Sequence, residues 1–146
     1  MYQAAKEAFE EADIAVMSAA VADYTPQVVA KEKIKKNESD LIFHLQKTKD
    51  ILKSLGESKR ADQLLVGFAL ETTNERENAL QKLKTKNADL IVLNSLRDSN
   101  AGFGFDTNKI TIFDREGNEF SSGLISKQKA AEEIVQIIIQ KLYAKA

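Results

Sequence analysis

Residues 64–94 read LLVGFALETTNERENALQKLKTKNADLIVLN. LLVGFAL (64–70) and ADLIVLN (88–94) read as buried strands, like the apolar runs of strands covered on both faces of a parallel sheet. Between them, 74–87 reads as a helix with Asn74 as its cap. Strand, helix, strand is the unit of a parallel sheet. Upstream, DIAVMSAAVA (13–22) is another short apolar run, a buried strand that breaks into a loop. Before it, Ala5, Ala8, Phe9 and Ala12 recur at helical spacing over 2–12. Residues 24–39 read as a loop, and LIFHLQ (41–46) alternates Leu41, Phe43 and Leu45 against Ile42, His44 and Gln46, a half-buried strand. His44 is expected to face solvent or a partner. Thr48 is placed to cap a helix over 49–59, with Ile51, Leu52 and Leu55 at helical spacing. SNAGFGF (99–105) is a glycine-containing loop. KITIFD (109–114) and EFSSG (119–123) form a hairpin around Glu116, Gly117 and Asn118. A last helix covers 126–143, with Ala130, Ile134, Ile137 and Ile138 on its apolar side.

This order predicts one α/β domain over residues 1–146: three layers, a mainly parallel Rossmann-like sheet and a C-terminal β-hairpin. The 146-residue length suits a single core, and neither a repeat nor a linker interrupts it. A net charge of -1 argues against a nucleic-acid-binding domain. There is no cysteine, which excludes disulfides and thiolate metal sites, and the single histidine, His44, excludes a multi-histidine zinc site. No apolar run approaches the roughly 20 residues of a membrane span. The N-terminus, MYQAAKEAFEEAD, is charged and amphipathic, unlike a signal peptide, so cytoplasm is the default location.

In parallel sheets ligands bind at the carboxyl ends of strands. The rule points to the segments after Ser18, Leu70 and Leu93. Asp23 and Tyr24 come off the first of these ends; a turn-forming Asp and a surface Tyr would look the same. Lys31, Lys33, Lys35 and Lys36 follow in KEKIKK. A lysine-rich loop is ordinarily just solvated, yet mobile ammonium groups also suit a polyphosphate. Phe68 ends the second apolar run; core packing competes with a ligand role there. Adjacent Gly67 leaves room for another group to approach, and Glu71 and Thr72 end the strand with polar groups. Lys82 and Lys86 share one helix face, as any exposed pair at that spacing would. AGFG (101–104) is no dinucleotide fingerprint, and the chain has no phosphate-binding loop of the GxxxxGK[ST] type. The missing fingerprint also argues against a NAD-type protein.

AAVADY, KIKK, LQKTKDIL, VGFALET, NADLIVLN and AGFGFDTN occur here in the order and spacing found in phosphopantothenoylcysteine synthetase. The chain resembles this synthetase half of the bacterial bifunctional coenzyme A biosynthesis flavoprotein from Ala12 to the last helix. The resemblance implies CTP-dependent ligation of 4'-phosphopantothenate to cysteine. The substrate carboxylate attacks the α-phosphate of CTP to give an acyl-cytidylate and pyrophosphate; the cysteine amine then displaces CMP. It further implies Mg²⁺ with the nucleotide, no flavin in this portion, a cytoplasmic homodimer, and fusion to or association with a flavin-dependent decarboxylase. Nucleic acid and membrane are not among the implied partners, and the metal ligands are not identifiable.

Carried over by motif, Met17, Ser18 and Ala19 match the backbone stretch that contacts the nucleotide, and Asp23 a nucleotide-contacting carboxylate. Lys33 matches the flexible-loop lysine that engages the reacting phosphate and carboxylate, the catalytic position. Lys31, Lys35 and Lys36 add supporting charge. Thr48, Lys49, Asp50 and Ile51 match a nucleotide-holding loop, although many members have Asn-Pro where this chain has Thr-Lys. Phe68 matches the aromatic residue at the base pocket; Lys82 and Lys86 match a lysine pair that reaches the triphosphate. Family members begin with a further βαβ-sized segment carrying a glycine-rich turn and an Arg and an Asn that handle the acyl intermediate. Met1 aligns inside a helix beyond it, so the chain is expected to be the C-terminal portion of a synthetase domain. A sheet without its first strands is expected to self-associate or to be marginally stable. The alternative expectation is a truncated nucleotide-binding and dimerisation module without independent activity.

Overall fold

The computed structural model describes residues 1–35, 40–95 and 104–145. The chain begins with helix α1 (Tyr2–Glu11) and strand β1 (Ile14–Met17), followed by β2 (Tyr24–Pro26) and β3 (Leu45–Lys47). Helix α2 (Ile51–Ser58), β4 (Leu64–Glu71), α3 (Glu75–Thr85) and β5 (Leu90–Ser95) come next. Then follow β6 (Thr107–Asn108), β7 (Ile110–Asp114), β8 (Glu119–Ser121), β9 (Ile125–Ser126) and α4 (Lys127–Lys145). The central sheet has five strands in the order β1-β4-β5-β7-β8. β1, β4 and β5 run parallel; β7 reverses against β5 and β8 reverses again, so every strand but β7 points the same way.

Side chains alternate across the sheet, and the two faces hold separate cores. Leu65, Ala69, Ile91, Leu93 and Phe113 pack with Phe9, Ile51, Leu55, Ala79 and Leu83 from α1, α2 and α3. Leu64, Val66, Leu90, Val92, Ile110 and Ile112 pack with Ala130, Ile134 and Ile138 of α4. This is the expected three-layer α/β arrangement. The apolar stretches Leu64–Val66 and Leu90–Leu93 are needed because β4 and β5 are covered on both faces there.

Buried polar groups join the elements. Gln63 donates to the carbonyls of Phe9 (2.5 Å) and Ala12 (2.7 Å), satisfying acceptors at the C-terminus of α1. Asp89 accepts the N–H of Leu65 at 2.8 Å and pairs with Lys59 at 2.5 Å, tying the starts of β4 and β5 to the end of α2. The room beside Gly67 is taken by this chain's own core: a Cβ there would lie 2.5 Å from Leu52 Cδ2 and 2.9 Å from Ile91 Cδ1.

Several boundaries differ from the sequence expectation. The run 13–22 is a strand only over Ile14–Met17, where β4 offers register partners ending at Gly67. The loop at 24–39 opens with β2, which pairs antiparallel with β3 (Pro26 opposite Leu45), and Gln27 N–H donates to His44 C=O at 2.9 Å. The half-buried strand expected at 41–46 is not formed: only Leu45 and Gln46 belong to β3. Leu41, Phe43 and Leu45 are all exposed, because this two-stranded arm has no layer to pack against. His44 is exposed, as expected. Helix α2 starts at Ile51 and is capped by Asp50, whose carboxylate accepts Lys53 N–H at 2.9 Å. A carboxylate is the stronger acceptor, and the Thr48 hydroxyl instead donates to Ala22 C=O at 2.7 Å. Asn74 occupies the cap position of α3 in the left-handed region (φ 46°) without a side-chain cap bond. The short strands β6 and β9 had no sequence signal. Lys36 and most of the 99–105 loop lie outside the described residues.

Candidate functional site

The carboxyl ends of β1, β4 and β5 define one edge of the sheet. Met17 ends β1, its side chain partly buried against the α1–α3 core, and Ser18 and Ala19 follow exposed. The chain then turns to Asp23, whose carboxylate is exposed and whose carbonyl accepts Thr48 N–H at 2.9 Å. With the hydroxyl bond from Thr48 to Ala22, this clamps the start of α2 to the loop leaving β1. Asp50, two residues on, pairs with Lys86 at the end of α3 at 2.5 Å. Segments far apart in sequence thus meet through Asp23, Thr48, Asp50 and Lys86.

Lys82, one turn earlier on α3, points its Nζ at Phe68 C=O (3.5 Å) and lies 3.9 Å from Glu71. Glu71 also accepts from Asn78 Nδ2 at 3.0 Å. The Phe68 ring packs on the opposite face, with the α4 core. Lys82 therefore meets the backbone of Phe68, while the ring stands across the sheet. The Lys49 ammonium lies 4.7 Å from the centroid of the Tyr2 ring. The Ile51 side chain is buried in the core, leaving only its backbone to a ligand. Lys31 and Lys33 are exposed in the loop after β2, and no described hydrogen bond or ion pair ties them to the other candidates. Glu71, Asn78 and Lys53 complete the polar surroundings. Of these, Glu71 was marked by its place at a strand end; Asn78 and Lys53 carried no signal beyond helical spacing.

The Asp50 carboxyl is held below its ordinary value. Its partial burial alone would raise it, but the Lys86 hydrogen bond, the Lys53 N–H and the charges of both lysines outweigh that. The edge is consequently a place where ammonium groups are held by carboxylates at a strand or helix terminus. Among the described residues, no group of three or more His, Cys, Asp or Glu side chains could hold a metal ion. Asp50 and Glu71 are each beside a lysine, Lys86 and Lys82 respectively. No helix among the described residues is long and apolar enough to cross a membrane.

The chain is similar to several known proteins. It is 49% identical over 139 residues to a cysteine/cysteine sulfinic acid decarboxylase from an unknown prokaryotic organism, covering 95% of this chain and 39% of that protein. It is 44% identical over 138 residues to the coenzyme A biosynthesis bifunctional protein CoaBC of Bacillus subtilis, covering 94% of this chain and 34% of that protein. The chain thus spans little more than a third of the length of these relatives, whose names describe whole proteins. A crystal structure of the C-terminal domain of a CoaBC protein superposes with a TM-score of 0.79 at 36% identity, covering 98% of this chain and 61% of that one. The DNA/pantothenate metabolism flavoprotein from Streptococcus pneumoniae, at 19% identity and TM-score 0.68, shares the fold. The family model for the DNA/pantothenate metabolism flavoprotein C-terminal domain matches residues 1–142, and the chain belongs to that family.

Proposed function

We propose that this chain supplies the nucleotide-binding part of a CTP-dependent phosphopantothenate–cysteine ligase acting in coenzyme A biosynthesis. The observation that carries the reading is the convergence at one sheet edge of segments the resemblance assigns to one nucleotide. Thr48 bonds Ala22 and Asp23, and Asp50 pairs with Lys86. The name CoaBC on the 44%-identical relative supports it.

In this reading Lys82 and Lys86 hold the triphosphate, and backbone groups at 17–19 and 48–51 orient the nucleotide. The carboxylate of 4'-phosphopantothenate attacks the α-phosphorus, an acyl phosphate bond forms and pyrophosphate leaves. The cysteine amine then attacks the acyl carbon, its proton is lost, the amide forms and CMP departs. Lys33, on an exposed loop, swings in to balance charge on the reacting phosphate and carboxylate. Mg²⁺, held by the phosphates of CTP, would supply charge screening there, while Lys82 and Lys86 carry this chain's own cationic charge. The location is the cytoplasm. The partners are the small-molecule substrates, a second copy of the chain and a flavin-dependent decarboxylase, fused or associated. The exposed Val28, Val29, Ile42 and Phe43 around the β2–β3 arm support self-association.

A second reading, a nucleotide-binding and dimerisation module without catalysis of its own, is favoured by one feature. β1 is an edge strand of the described sheet, with Val16 45% and Leu70 42% exposed beside it on the face of α4. Pyrophosphate release from CTP, dependent on 4'-phosphopantothenate, separates the readings. It is measured with the chain alone and with the chain joined to the N-terminal segment of its Bacillus subtilis relative. Release that Lys33→Gln abolishes supports the ligase; nucleotide binding without release in either form supports the module.

A further inference from the structure

The pairing of Asp50 with Lys86 has a chemistry of its own. The Lys86 backbone is pinned. Its N–H donates to Lys82 C=O at 2.9 Å, and its carbonyl lies where Gly56 leaves no room for a Cβ. Next to it, Asn87 sits in the left-handed region (φ 52°) and donates to Gly56 C=O at 2.6 Å. Only the Lys86 side chain is free to change partner. Asp50 is fixed too, because its other oxygen caps α2. Its side chain remains 43% exposed, open to a displacing anion. Lys82 is held more loosely, 3.9 Å from Glu71.

We propose that Asp50 is a built-in competitor of the nucleotide phosphates for Lys86, displaced by a polyphosphate and far less readily by a monophosphate. The inference rests on the nucleotide reading above and deepens it. A triphosphate carries more charge than the carboxylate and reaches Lys82 as well, so it wins Lys86. A monophosphate offers less charge, and the carboxylate, already in place, recaptures the ammonium. Asp50 thereby sets the energy of the pair against the CTP that takes Lys86, tempering the hold on the triphosphate, and leaves CMP, which does not take Lys86, little affected. Its role is to position and release Lys86, with no contact to the reacting atoms required.

The test uses Asp50→Asn, which keeps an oxygen for the α2 cap while removing the charge. Binding of CTP with Mg²⁺ and of CMP is measured by calorimetry for wild type, Asp50→Asn, Lys86→Met and the double variant, with melting curves to verify folding. An exposed pair of this kind translates into a change of about two- to fivefold. The expected result is CTP bound about two- to fivefold tighter by Asp50→Asn, CMP improved less, and no change from Asp50→Asn in the Lys86→Met background. Wild type that binds CTP, with Asp50→Asn unchanged or weakened for CTP, overturns the proposal and leaves the nucleotide reading standing. The same gain in the Lys86→Met background also overturns it, since the effect would then bypass Lys86. Failure of every form to bind either nucleotide overturns both.

Discussion

Acidification should destabilise this domain first at Asp114. Its side chain is fully buried at the end of β7, paired with Lys141 of α4 at 2.6 Å and bonded by Asn118 N–H and Nδ2, each at 2.8 Å. Burial alone would raise the Asp114 pKa. The hydrogen bonds from Lys141 and Asn118 and its link to Glu116 outweigh burial and lower it from 3.8 to about 2. A carboxyl depressed on folding adds stability that is complete above its unfolded value and is lost as pH falls through the folded one. At ~1.4 kcal/mol per unit, the contribution is roughly 2 kcal/mol, about half of it lost by pH 3. Urea unfolding of wild type and Asp114→Asn between pH 7 and pH 3 reads this directly. The variant should be roughly 2 kcal/mol less stable at pH 7, with the gap narrowing by about 1 kcal/mol at pH 3. A gap independent of pH would refute the assignment of the acid-sensitive stability to this pair.

Other outcomes follow from the packing and the arm. Lys59→Met leaves the buried Asp89 carboxylate without the ammonium at 2.5 Å; the expected cost is about 3–5 kcal/mol in urea unfolding. Gly67→Ala drives a methyl into Leu52 and Ile91 and should cost about 1–3 kcal/mol. Ile42→Ser with Phe43→Ser removes exposed apolar groups from the β2–β3 arm. Sedimentation should show a dimer for wild type and a shift toward monomer for this variant; identical profiles would sink the arm as an interface.

The parts of the fold legible in the sequence were those with a core on both sides. The runs at 64–70 and 88–94 announced β4 and β5 because Leu64–Val66, Ala69 and Leu90–Leu93 are buried whichever face of the sheet they point to. The Gly117 turn has φ 89°, a conformation that suits glycine, and marked the β7–β8 hairpin. The β2–β3 arm was misread because its alternation reflects no buried face: Leu41, Ile42 and Phe43 are all exposed. Residues 18–22 look as apolar as a strand, but β1 has no register partner beyond Gly67. At the candidate site, strand-end position singled out Asp23, Phe68 and Glu71. The links themselves were invisible, since Asp50 and Lys86, like Lys59 and Asp89, are distant in sequence and meet only after the sheet forms. Asp50 as the α2 cap was foreseeable from its place just before Ile51, but Thr48 offered an equally plausible hydroxyl.

The most direct test of the nucleotide reading is calorimetric titration of CTP with Mg²⁺ into the chain, alone and joined to the N-terminal segment of its Bacillus subtilis relative, with ATP as control. The expected result is saturable CTP binding that Lys86→Met weakens, with ATP giving no comparable signal. Absence of CTP binding in both forms, or binding indifferent to Lys86, would contradict the assignment of the β1–β4–β5 edge to a cytidine triphosphate.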